Sequence, residues 1–451
     1  MKVLLLGNDG RAHALAWKLF NSPLVTELIC APGNGGTSAL VPSAELDTGD
    51  AAAIARWAFD EGIDMIVPAN SQPLQAGLVD EVVSMQIGVC GPSQRSTMLE
   101  RSRCQAKEFM LRHGLPTAPG RACTDHATAE KYLATMPLPV MIKADDPAGG
   151  EAIYTDRYAA LAGLRDLFAA HTPGGANGGV VIEAALNGAR VVLSAFTDGR
   201  TAVPLLPVRL YDRIGEGIGG TPAPGLGAHT SNSLFARKLS SYMHEHLLLP
   251  VVAGLAHDRL PFWGILGIDA IITEQGPRLT ALRASMRDGE AQVVLPRLED
   301  DLLPWIQAMI AQRLHDRPAP HWSPTVSLGM GLFARGYPHH FAVGGPISGI
   351  ETLDEGVRVF HSATENTAGL RYTPQRSPGP AGMFGARGQA LPLFGAGQPG
   401  GTLRTTGGLV MTLVATSATL AGARGIALVN AERVSFEGRE FRGDIGAKEF
   451  G

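Results

Sequence analysis

Four short apolar runs near the start of the chain each break off into a glycine or polar turn, and this rhythm restricts the fold more than any other feature. Lys2–Leu6 runs into Gly7-Asn8-Asp9-Gly10-Arg11, Glu27–Cys30 into Pro32-Gly33-Asn34-Gly35-Gly36-Thr37, Met65–Val67 into Pro68-Ala69-Asn70-Ser71, and Ile87–Cys90 into Gly91-Pro92. After the first turn Ala14, Leu15, Trp17, Leu19 and Phe20 recur with helical spacing,. Strands alternating with helices and ending in such turns predict a doubly wound parallel sheet with its site at the strand C-termini. The free N–H groups of a helix start after a glycine turn suit an anion.

From about residue 100 the rhythm changes. Arg101–His113 reads as a helix; Pro139–Lys143, Val180–Ala184, Val191–Phe196, Leu205–Leu210 and Ile268–Thr273 read as strands, with a glycine-containing loop at Asp145–Glu151. This pattern fits an antiparallel α+β unit. A last segment, with strands at Ser327–Ala334, Val357–Phe360 and Leu409–Ala415, begins near Val326. The expected division is therefore an α/β domain over 1–100, a central region over 101–325 with a lid subdomain at about 121–190, and a C-terminal α+β domain over 326–451. Pro and Gly crowd 374–401, which reads as a flexible surface insertion, with a lid over a site as the alternative.

A net charge of -4 leaves no basic footprint for nucleic acid,. No apolar run approaches the ~18–20 residues of a membrane span. Met1-Lys2 leads straight into Val3–Leu6, too short for the apolar core of a signal peptide,. Four cysteines, Cys30, Cys90, Cys104 and Cys123, lack metal spacing and read as reduced thiols,. These features predict a cytoplasmic protein with no nucleic-acid or membrane partner. The pair His339-His340 reads as solvated, and His244 and His246 as pointing to different faces of one helix,.

Met1 through Lys18 and Ala31 through Thr37 closely resemble the N-terminus of phosphoribosylamine–glycine ligase. Further blocks follow in the same order: Val140 through Asp145, Gly225-Leu226-Gly227-Ala228, Asp288-Gly289-Glu290-Ala291-Gln292, Val359-Phe360-His361 and Arg442 through Gly446. The resemblance implies an ATP-grasp ligase that uses ATP and magnesium to phosphorylate a glycine carboxylate before amine attack. It places phosphoribosyl contacts at Gly10, Arg11, His13, Asn34, Gly36 and Gly225, and nucleotide contacts at Arg103, Lys143 and Glu183.

Against the family pattern, several charged positions differ. The family's Gly-Lys-Gly becomes Gly150-Glu151-Ala152. Its Glu-Glu-Phe-Leu-x-Gly-x-Glu becomes Glu183-Ala184-Ala185-Leu186-Asn187-Gly188-Ala189-Arg190. The magnesium strand, Glu-Phe-Asn-Cys-Arg-Phe-Gly-Asp-Pro-Glu, becomes Ala281-Leu282-Arg283-Ala284-Ser285-Met286-Arg287-Asp288-Gly289-Glu290. Neither metal ligand of that strand remains, and Asp269 is left as a single candidate. Phosphoryl transfer relies on cations at the phosphates and oxygens at the metal. The expectation is therefore loss of canonical ATP and magnesium use, with a retained pocket for an anionic or phosphorylated small molecule. Asp288, Glu290, Arg283 and Arg287 are its candidate catalytic groups. The alternatives are an active amide-forming ligase whose metal ligands have moved to Asp269, Glu274, Asp288 and Glu290, and a non-catalytic subunit with a protein partner. A homo-oligomer fits any of these.

Overall fold

The computed structural model describes residues 1–170, 178–215, 220–373 and 401–449. The expected insertion at 374–401 falls outside them, save for Gly401.

The N-terminal sheet is parallel and runs Glu27–Pro32, Lys2–Gly7, Met65–Pro68, Gly88–Val89. Lys2–Gly7 lies inside it, and Val3, Leu4, Leu5 and Leu6 are fully buried, as a strand covered on both faces requires. Its C-terminal end meets helix Gly10–Phe20, which Asp9 caps by accepting from the Ala12 N–H at 3.1 Å,.

A separate four-stranded antiparallel sheet runs Gly120–Cys123, Val180–Ala184, Val140–Ala144, Glu151–Tyr154. Helices His126–Thr135 and Arg157–Ala170 accompany it, with Leu133, Leu164, Val140 and Ile182 closing a small core of its own.

The largest sheet has ten strands. Its main path runs Gly276–Arg283, Gly264–Thr273, Ala189–Thr197, Val208–Arg213, Pro222–Thr230, Val326–Ala334, Leu409–Ser417, Arg358–His361, and neighbours along it are antiparallel. Central and C-terminal segments thus share one sheet, joined where Pro222–Thr230 pairs with Val326–Ala334.

Two expectations need correcting, and one strand lies where none was expected. The helix expected over Arg101–His113 breaks at Ser102, whose extended backbone separates Met98–Arg101 from Arg103–Arg112. The Ser102 side chain caps the second helix and donates to Asp145 at 2.6 Å. The strand expected at Leu205–Leu210 is displaced to Val208–Arg213, with a short strand at Ala202–Pro204. Pro222–Thr230, whose proline and glycine content argues against a strand, is a strand with most residues buried.

Among the described residues no helix is long and apolar enough to cross a membrane. All four cysteines are buried free thiols, and His339 and His340 are exposed.

Candidate functional site

Between the four-stranded sheet, helix Arg103–Arg112 and the ten-stranded sheet lies a cleft of about 890 Å³, a size suited to a small molecule. Leu99, Ala106, Met110, Met141 and Val181 form an apolar side. Of the charged side chains that line it, eleven are basic and six acidic. A chain that is acidic overall therefore presents a cationic cleft.

At the lid side, Glu183 is held between two ammonium groups, 2.8 Å from Lys107 Nζ and 2.6 Å from Lys143 Nζ. Burial pushes the Glu183 carboxyl up, but Lys143 and Lys107 outweigh it and the pKa falls below its usual value,. Lys107 was not among the expected contacts. It follows Arg103 by four residues and so shares a helix face with it, a signal available in the sequence. Arg103 donates to the Gly150 carbonyl at 2.6 Å and pairs with Glu151 at 3.4 Å. Glu151 also meets Arg213 at 3.2 Å. The Glu151 carboxylate is thus neutralised by arginines.

The large sheet builds the deepest part. Side chains alternate along strands, so Arg190 and Ser194 share a face with Gly267 and Asp269 on the paired strand and with Arg283 beyond it. Arg283 lies across Gly267, where a Cβ would come within 2.7 Å of its guanidinium carbon. From there it donates through Nε to Asp269 Oδ1 at 2.7 Å, through Nη1 to the Ser285 carbonyl at 2.6 Å, and through Nη2 to Glu290 Oε2 at 3.3 Å. Arg287 Nε and Arg190 Nη2 reach Asp269 Oδ2 at 2.8 and 2.9 Å, and Arg190 also pairs with Asp212. Burial alone would raise the Asp269 carboxyl; Arg283, Arg287 and Arg190 overcome it and hold it well below the carboxylate range,. Glu290 accepts from Ser194 Oγ at 2.6 Å and from the Arg287 N–H at 2.8 Å. A bulge in the pairing follows Asp269, a common device beside sites.

Asp269, the single candidate metal ligand, is engaged by arginines. Magnesium needs near-octahedral oxygen coordination, whereas both Asp269 oxygens receive guanidinium donors and the Arg283 cation bridges Asp269 to Glu290. The residues present do not fit magnesium. The relocated ligand set does not assemble either. Glu274 is exposed in the turn after Thr273, about five strand residues and roughly 17 Å from Asp269.

Asp288 faces away from this cluster, toward the N-terminal loops. Asp9 binds Arg11 through Nη2 at 2.6 Å, and Arg11 reaches the Met286 carbonyl at 3.2 Å. Burial, and then the charge of Asp9, push the Asp288 carboxyl up, while the Gln292 amide donates to it. Gly10 and Gly225 are brought here from distant parts of the chain. A Cβ on Gly10 would overlap the Gln292 amide and come 3.0 Å from Asp288 Oδ1, and one on Gly225 would lie 3.6 Å from Asp288 Oδ2.

His13, Asn34 and Gly36 are drawn together differently. The Asn34 amide donates to the His361 carbonyl at 2.8 Å, its Oδ1 accepts from Gly36 N at 2.9 Å, and His361 N donates to His13 Nδ1 at 2.8 Å. These three residues tie the N-terminal loops to strand Arg358–His361. Burial pushes the His361 imidazole down to about 4, and burial with the neighbouring His361 pushes His13 well below its usual value.

Residues 1–100 match the family model for the phosphoribosylglycinamide synthetase N domain, and residues 101–291 the model for its ATP-grasp (A) domain. The chain is 32% identical to the phosphoribosylamine–glycine ligase of Phenylobacterium zucineum over 454 residues, covering 100% of each. It is 32% identical to that of Caulobacter vibrioides, covering 99% of this chain and 98% of the other. Its fold superposes on the crystal structure of the Thermotoga maritima phosphoribosylamine–glycine ligase with a TM-score of 0.78 at 23% identity, covering 99% and 100% of the two chains. A biotin carboxylase domain of Hydrogenobacter thermophilus 2-oxoglutarate carboxylase follows the same architecture, with a TM-score of 0.68 at 15% identity over 97% of this chain and 91% of that one. This chain belongs to the phosphoribosylamine–glycine ligase family, built on an ATP-grasp scaffold.

Proposed function

We propose that this family member has given up magnesium-dependent ATP chemistry and uses the cleft to hold a small phosphorylated or otherwise anionic metabolite directly through guanidinium and ammonium groups. The observation that carries this reading is the bridge Asp269–Arg283–Glu290. A fixed side-chain cation stands between the two buried carboxylates that a metal ion would need. Guanidinium groups bind phosphate and carboxylate with paired hydrogen bonds and no metal. Arg103, Arg190 and Arg287 are each about a quarter exposed at the cleft, so donors remain for a ligand. The apolar side offers room for its uncharged part. Asp288, with its carboxyl raised toward neutrality, is the group placed to exchange a proton beside the N-terminal loops.

The test is calorimetry on the purified chain with ATP, inorganic pyrophosphate and ribose 5-phosphate, each with magnesium and with a chelator. ADP release in the presence of glycine and phosphoribosylamine is measured alongside. The reading expects saturable binding of a phosphorylated probe that is indifferent to magnesium, weakened about tenfold by Arg287→Ala, the cost of one charged hydrogen-bonding partner. Magnesium-dependent ADP release coupled to glycine would overturn it.

A further inference from the structure

Helix Arg103–Arg112 carries Arg103 and Lys107 toward the cleft, and its other end closes at His113. Helix Leu249–His257 closes beside it at Asp258. Helix C-termini concentrate partial negative charge on their last carbonyls, so two such ends with an added carboxylate make a cation-attracting corner.

Three metal-ligating side chains converge there. His113 Nε2 lies 3.1 Å from Asp258 Oδ2, and His257 Nδ1 lies 3.1 Å from Asp258 Oδ1. One ligand atom from each of the three residues lies within 4.8 Å of the other two. Ligands at about 2.0–2.1 Å from a tetrahedral metal are separated by roughly 3.4 Å, so small movements would complete the geometry.

The His113 ring is held in place before any ion arrives. It packs on Phe109 with ring centroids 4.6 Å apart, and Gly254 leaves its space open, since a Cβ there would come 3.0 Å from the ring. His113 Nε2 is buried without an aligned hydrogen-bond partner, although it points at the carboxylate. The His257 side chain is largely exposed and free to adjust. Arg112 now supplies the positive charge, 2.5 Å from Asp258 Oδ2, from a side chain that is 55% exposed and can swing into solvent.

We propose that His113, His257 and Asp258 form a site for a borderline divalent transition metal of the zinc class, with water in the remaining position. Two imidazoles and one carboxylate suit zinc, cobalt(II) or nickel(II) and disfavour magnesium, which prefers oxygen. The ion would pin the end of the helix that presents Arg103 and Lys107, joining it to helix Leu249–His257. It would stabilise the folded chain by mass action, because the unfolded chain lacks the assembled site.

The experiment takes the chelator-treated full chain and titrates it with zinc alone, then with magnesium alone, by calorimetry and thermal unfolding. Cobalt(II) is added separately to read its visible ligand-field band. The expected result is one saturable zinc site that raises the unfolding temperature, no response to magnesium, and a tetrahedral cobalt spectrum. His257→Ala should weaken zinc by about tenfold or more, since a ligand is removed, while Arg112→Ala should tighten it by removing the competing cation. Equal zinc affinity in wild type and His257→Ala, or no saturable binding, overturns the proposal. His257 is exposed, so its loss reports on the site and not on folding. The deciding readout is zinc affinity at this corner, which is independent of what the cleft binds.

Discussion

Residues 283–287 and 288–292 are consecutive but serve two regions of opposite character. The first group turns into the cleft, where Arg283 and Arg287 surround Asp269. In the second, Asp288 and Gln292 turn toward the N-terminal loops and press against Gly10, while Glu290 between them reaches back to Arg283. The loop region is built on glycines in close contact with their neighbours, the cleft on paired charges. The physical difference lies in what each position tolerates. Gly10 and Gly36 sit where any side chain collides with a neighbour, so no substitution fits alone. A charge network can be rewired in compensating steps, as Glu151 with Arg103 and Arg213, and Asp269 with three arginines, illustrate.

The contrast breaks most sharply at Arg283. Its replacement by alanine leaves Asp269 and Glu290 buried with one cation fewer, a loss of about 3–4 kcal/mol that denaturant unfolding would measure. A change below about 1 kcal/mol would mean that the remaining arginines suffice and that the bridge is dispensable. Gly10→Ala attacks the loop region by collision with the Gln292 amide. Overpacking of this kind costs about 2–3 kcal/mol and should lower the unfolding midpoint while leaving binding of phosphorylated probes in the cleft unchanged.

The smallest effect separates the regions by pH. His361 in the folded chain titrates near 4, below the usual ~6.5 of the unfolded chain. Between those values the unfolded chain binds a proton that the folded chain refuses, so acidification removes stability. Going from pH 7 to pH 5 should cost on the order of 2 kcal/mol through this residue, reduced in His361→Asn. Asp269 acts in the same direction but at lower pH. Its depressed carboxyl contributes stability above the ordinary carboxylate value, lost only as the pH falls below about 4. An unfolding midpoint that stays flat from pH 7 to pH 5 would contradict the neutral, buried imidazole at His361.

Much of this architecture was legible because it rests on local chemistry. Short apolar runs with glycine turns announce the parallel sheet, and apolar runs announce Val180–Ala184 and the Ile268–Thr273 part of strand Gly264–Thr273. The break at Ser102 was not legible, because the groups that stabilise it include Asp145, far along the chain. Strand Pro222–Thr230 was hidden by its composition and is stabilised by neighbours on both sides. Within the cleft, the arginines are visible in the sequence, but not that Arg283 would bridge two carboxylates. That required the order of three strands whose neighbours in space are not neighbours in sequence.

The sequence by itself therefore determined the family, the sheet rhythm and the charges at residues 151, 190, 283 and 287, since each is carried by residue identity at short range. Only the tertiary structure decided which carboxylate each arginine neutralises, that Gly10 and Gly225 meet at Asp288, and that His113 and His257 share Asp258. Those outcomes depend on burial and on close approach between distant segments. A charge acquires its partner, and a glycine its necessity, when the packed fold removes water and leaves one arrangement of groups in reach.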